Sequence, residues 1–172
     1  MVGEETDMAK FQCCSEFVRP VLVLQDYIPI RLEWERKREI VKYLEYGDGS
    51  KSLLEITVGA ESKKLHRITL PLCNNYTLKK AAEFLENRVP NDAELAVTID
   101  GDREVKKCEL SLVMYNKEIN IFLSKAPLEI CKFIKNGRIR FGLDNHDCLK
   151  EIDIVDLSYE EKKHIIQELE LQ

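Results

Sequence analysis

Apolar and polar residues alternate along most of this chain, and three times the alternation runs through a short polar turn. Ile56, Val58, Leu65, Ile68 and Leu70 flank a turn containing Gly59 and Glu61. Val97, Ile99, Val105, Leu110 and Leu112 flank Asp100-Gly101-Asp102. Ile139, Phe141, Leu149, Ile152 and Ile154 flank Asp144-Asn145. A period of two on both sides of Gly, Asp or Asn predicts an antiparallel hairpin with one buried face. The copies start about 41 to 42 residues apart, a spacing that suggests repeated hairpins.

The same pattern extends outward. Val21 to Leu24 reads as a buried strand, and Pro29 holds Ile28 extended. Ile30, Leu32 and Trp34 alternate with Arg31 and Glu33, and Ile40 to Tyr46 returns as their expected hairpin partner. The period changes after Asn74-Asn75. Leu78, Ala81, Ala82, Leu85 and Val89 share one helical face, stopped by Pro90. A single long strand is expected from Val105 to Tyr115, and a short helix from Leu128 to Ile134. Ser158 with Glu161 three residues on forms a capping-box signature before Ile165, Ile166 and Leu169. The predicted class is α+β: an antiparallel β-meander of successive hairpins with two main helices, about 77–89 and 158–171. One domain spanning 1–172 is expected, with 20–90 and 93–172 as two similar hairpin–helix halves. A duplicated hairpin–helix unit and chance likeness among ordinary hairpins both account for that similarity.

Composition narrows the function classes. The 172 residues carry a net charge of −5, which argues against a dedicated nucleic-acid binder. No apolar run approaches the roughly 20 residues needed to cross a bilayer, and the acidic start lacks the pattern of a secretory signal. A cytoplasmic setting with reduced thiols is the expectation for the six scattered cysteines. Cys108 and Cys131 read as small core residues, and the adjacent Cys13-Cys14 lacks a partner pair. No cofactor is implied.

Candidate chemistry is sparse. Asp144, His146, Asp147 and Cys148 combine ligand types that suit a divalent metal, although ligands so close in sequence seldom complete a site alone. A hairpin tip explains the same residues. Gly47-Asp48-Gly49-Ser50 lacks phosphate-loop spacing and reads as a turn. His66 is expected to face solvent from its strand. Trp34, Tyr43, Tyr46, Tyr115 and Tyr159, with Tyr27, are aromatic candidates for a partner surface, with burial in the core as the alternative for each. The leading expectation is a non-catalytic protein-binding module, an acidic inhibitor of the immunity type that meets a basic partner. The alternatives are a small metal-dependent enzyme using the Asp144–Cys148 loop and a structural subunit that pairs through sheet edges.

Overall fold

A computed structural model describes residues 9–14, 18–79, 93–124 and 130–172. Fourteen strands and one helix follow in order: β1 (Lys10–Cys14), β2 (Val21–Leu22), β3 (Ile30–Glu33), β4 (Val41–Gly47), β5 (Ser52–Gly59), β6 (Leu65–Cys73) and β7 (Tyr76–Leu78). Then come β8 (Glu94–Thr98), β9 (Arg103–Lys106), β10 (Ser111–Met114), β11 (Ile119–Phe122), β12 (Lys132–Asn136), β13 (Ile139–Leu143), β14 (Leu149–Ile154) and α1 (Tyr159–Glu170). They form two six-stranded sheets, β2-β3-β6-β5-β4-β9 and β12-β13-β14-β11-β10-β7, and a two-stranded ribbon of β1 with β8. The inner faces of both sheets join one continuous apolar core. Ile30, Leu44, Ile56 and Ile68 enter it from the first, and Ile119, Phe141, Ile152 and Ile154 from the second.

Five strands repeat with identical connectivity. Counted along the chain, the order first-second-fifth-fourth-third describes both β2-β3-β6-β5-β4 and β10-β11-β14-β13-β12, and every pairing within these sets is antiparallel. The likeness reaches single atoms. Both closing hairpins carry a bulge, between Thr57 and Val58 in one and between Gly142 and Leu143 in the other. Both loops hold a non-glycine residue in left-handed backbone two positions before the return strand, Lys63 at φ 59° and Asp147 at φ 60°. The Trp34 amide donates to the His66 carbonyl at 3.0 Å, and the Leu123 amide donates to the Lys150 carbonyl at 2.9 Å. The ribbon completes the match. The register partners Phe11 and Val97 donate to the Asp147 and Lys63 carbonyls, at 3.0 and 2.7 Å.

Several expectations need correction. Among the described residues α1 is the single helix, so the α+β meander with two main helices does not hold. Residues 76–78, at the start of the expected 77–89 helix, are strand β7, paired parallel to β10. The rest of that helix falls within residues 80–92, which lie outside the described residues, as do 125–129. Among the described residues, what recurs is the five-strand arrangement. β3 pairs with β2 and β6 rather than with β4, because its fifth-strand partner arrives later in the chain. The 97–112 hairpin does not form either: β8 joins β1, while β9 lies parallel to β4. The expected long strand from Val105 is two strands in different sheets. Lys132 to Asn136 is β12, not a helix, and its Ile134 and Asn136 face the core.

Candidate functional site

The sequence places its metal-ligand types at the β13–β14 hairpin loop, and the structure shows what they do there. Asp144 Oδ1 accepts the His146 and Cys148 amides at 2.8 and 3.0 Å, closing the loop on itself. Burial opposes its charge, but those two amides and Lys150, 3.7 Å away, outweigh it and hold the carboxyl below its ordinary range. His146 contributes only main-chain atoms to these bonds, and Asp147 pairs with Lys132 at 2.5 Å. Cys148 Sγ is buried and accepts from Lys10 Nζ at 3.4 Å. Among the described residues no three His, Cys, Asp or Glu side chains group as metal ligands.

The equivalent β5–β6 loop uses another residue for the same task. Glu39, from the β3–β4 connection, lays its carboxylate across the loop and accepts the Ser62 and Glu61 amides at 3.0 and 3.2 Å. Its other oxygen meets His66 Nε2 at 3.1 Å. His66 is therefore half-buried and paired rather than turned to solvent. The Ser62 amide, with further bonds from Ser62, His66 and Glu61 against a desolvation penalty, lowers the Glu39 carboxyl to about 2. Gly59 makes this possible, since a Cβ there would stand 2.4 Å from the Glu39 carboxylate. Gly59 and Asp144 hold the same position in their loops. One leaves room for an imported carboxylate; the other supplies its own.

Beside the second loop, β9 and the β14 bulge bring lysines together. Lys106 pairs in register with the buried Tyr46, and Lys150 is the bulged residue of β14. A bulge re-aims a side chain, and here it carries the Lys150 ammonium to within 3.7 Å of Asp144. Burial and Lys150 together depress the Lys106 ammonium pKa.

The second sheet's far face carries a buried charged network. Arg140, Asp153 and Asn120 are cross-strand neighbours. Asn120 donates to Asp153 at 2.6 Å and to Glu118 at 3.0 Å, and Arg140 pairs with both carboxylates. Glu151 completes the group. Burial and the adjacent Asp153 push its carboxyl up to about 9, so it holds its proton at neutral pH.

The aromatic candidates divide. Trp34 and Tyr46 are core residues, the indole N–H donating to Asn136 Oδ1 at 3.0 Å. Tyr115 is half-buried beneath Lys79. Tyr43 and Tyr159 are exposed, as is Cys131, which was expected inside. Tyr43 lies on the open face of the first sheet among pairs that cancel in charge: Arg31 with Glu33, Arg67 with Glu55, Arg103 with Glu45.

Among the described residues the most exposed aromatic is Tyr27, at 84 %. It sits in the turn from Gln25 to Ile28 at φ 67°, backbone that suits glycine. A side chain there costs roughly 1–2 kcal/mol. The turn is pinned from α1: the Tyr27 amide donates to Glu168 Oε2 at 2.8 Å, and His164 approaches the Ile28 carbonyl at 3.4 Å. Glu168 is itself misplaced by ordinary rules, an acid in the last turn of a helix with no basic residue there. Val18, Val21 and Leu24 expose apolar surface along the same stretch, and β2 is the outer strand of its sheet. Tyr27 was among the aromatic candidates, but Val21 to Leu24, expected as a buried strand, is strand only at Val21–Leu22 and exposes Val21 and Leu24; the strain at the turn leaves no mark in the sequence. No family model and no curated protein matches the chain, so its function is read from this geometry.

Proposed function

We propose that the protein is a non-catalytic binding module that docks another protein on residues 18–27, with Tyr27 as anchor. One observation carries this: a large aromatic held almost fully in water on backbone that favours glycine, by a buried acid that its own helix disfavours. Two local rules are broken at one contact, and strain of this kind persists where function maintains it. Tyrosine flanked by aliphatic residues is common material for interface anchors. The net charge of −5 favours a basic partner, attracted before contact by long-range electrostatics. Because the open face of the first sheet is charge-paired, this preference belongs to the whole molecule rather than to a local acidic patch.

The test is a photo-crosslinking amino acid placed at position 27 in cells that make the protein, with position 61 as control. The reading predicts one recurrent partner captured from position 27 and not from 61. That partner, purified, should bind the Tyr27→Ala variant at least ten-fold more weakly, with affinity that declines as salt rises. Equal capture from both positions contradicts the proposal. Among the described residues β2 is the outer strand of its sheet, which also favours lateral pairing between copies, as a structural subunit would use. Sedimentation at rising concentration separates the two: a monomer throughout eliminates self-assembly.

A further inference from the structure

The loop between β13 and β14 holds a reactive pair built from other elements than the Tyr27 surface. Lys10 comes from β1, and Cys148 stands at the end of the loop, 138 positions further on. Lys10 Nζ donates to the His146 carbonyl at 2.9 Å, which aims the amine at Cys148 Sγ, 3.4 Å away. Both partners stand on fastened backbone. Asp144 Oδ1 accepts the His146 and Cys148 amides, and the Phe11 amide ties β1 to the Asp147 carbonyl at 3.0 Å. The duplicated loop shows that this fastening needs neither reactive group. There the matching positions are Ala96 on β8 and Lys64, bridged through their main chains, and they offer neither an amine on the strand nor a thiol in the loop.

We infer that Lys10 and Cys148 form an oxidative crosslinking site, joined under peroxide by a sulfenamide bond that clasps β1 to the loop. The Cys148 thiolate attacks one oxygen of hydrogen peroxide. The O–O bond breaks, sulfur loses two electrons, and a sulfenic acid and water form. The neutral Lys10 amine then gives its lone pair to that sulfur. An N–S bond forms, the S–O bond breaks, and the hydroxyl leaves as water with a proton from the amine, with no further oxidant. Sulfenic acids condense with nitrogen in this way. The separation of 3.4 Å falls in the range of about 3–3.5 Å from which oriented groups react. Burial restricts the alternatives: Cys148 is 3 % exposed, so a second protein's thiol cannot reach Sγ, whereas peroxide is little larger than water. A small thiol reverses the step, since its attack on the sulfur releases the amine and leaves a mixed disulfide that a second thiol resolves.

Hydrogen peroxide is the probe, added to the full chain after reduction and removal of the reductant. The treated protein should yield a peptide pair joining Lys10 to Cys148, lighter by two hydrogen atoms, and trypsin should no longer cut after Lys10. The melting temperature should rise, because a crosslink restricts the unfolded chain. Dithiothreitol should reverse all of these changes. Lys10→Arg keeps the charge but lacks the nucleophilic amine, and both it and Cys148→Ser should lose the crosslink. A map in which Cys148 stays a thiol, ends as sulfinic acid or joins another cysteine, with Lys10 unmodified, would overturn the inference. So would a crosslink that survives in Lys10→Arg. The wild-type map decides the matter even where a variant fails to fold, which the melting temperatures of the reduced variants report.

Discussion

Tyr27 occupies a turn position where glycine would sit without strain, and its side chain contacts little besides water. Replacing it with glycine should therefore stabilise the fold by about 1 kcal/mol, read as a shift of the denaturant midpoint at constant slope, while weakening partner capture. A destabilised Tyr27→Gly variant would show that the side chain packs and that the strain argument fails. Glu39 offers a test with pH. Its carboxyl is lowered on folding from 4.5 to about 2, so its contribution is present above the ordinary value and is lost as pH falls towards the folded one. Acid unfolding followed from neutral pH downward should be steeper in the wild type than in Glu39→Gln over that window. Identical acid profiles would mean the loop amides do not depend on this carboxylate. Tyr27 was legible as an aromatic candidate but its strain was not, and the role of Glu39 was not legible at all. Glu39 acts on an amide 22 residues away, and a φ angle leaves no mark on composition. The Asp144–Cys148 loop was legible as a hairpin tip, and its polar residues close that tip.

At the scale of elements, local signals were the readable ones. The Ser158–Glu161 box forms as its spacing predicts, each side chain bonding the other's amide, and α1 follows. The hairpins of β5 with β6 and β13 with β14 were visible because turn and strands are contiguous. Partners across the sheet were not, since alternation reveals which face a strand buries and not its neighbour. Hence β3 was matched to β4 although it pairs with β6, and β9 and β10 were read as one strand although the chain changes sheets between them. Asn136 shows what joins the layers. From the core face of β12 it accepts the Trp34 indole N–H and donates to the Ala93 carbonyl at 3.0 Å. Asn136→Ala should cost about 2 kcal/mol by chemical denaturation, because a buried indole N–H loses its acceptor. A loss below about 0.5 kcal/mol would show that the indole finds another acceptor.

For the whole molecule, the far face of the second sheet governs response to alkali. Glu151 is raised on folding from 4.5 to about 9, the reverse of the usual carboxylate case. The contribution of Glu151 is therefore fullest below the ordinary carboxyl value and drains as pH climbs towards 9. Glu151→Gln, which keeps the hydrogen-bonding capacity without a titrating proton, should flatten that decline, with melting temperatures compared from mildly acidic to mildly alkaline solution. An unchanged slope would place the proton elsewhere in the network. The ribbon of β1 and β8 has a consequence for how the chain comes into being. Each of its strands braces the loop of the opposite five-strand set, so neither set is finished without a piece of the other. During synthesis β1 leaves the ribosome early, yet Lys10 must wait for His146, 136 residues behind it. A strand made ahead of every other described one is among the last to be seated, and until then its Phe11 side chain has no interior to enter.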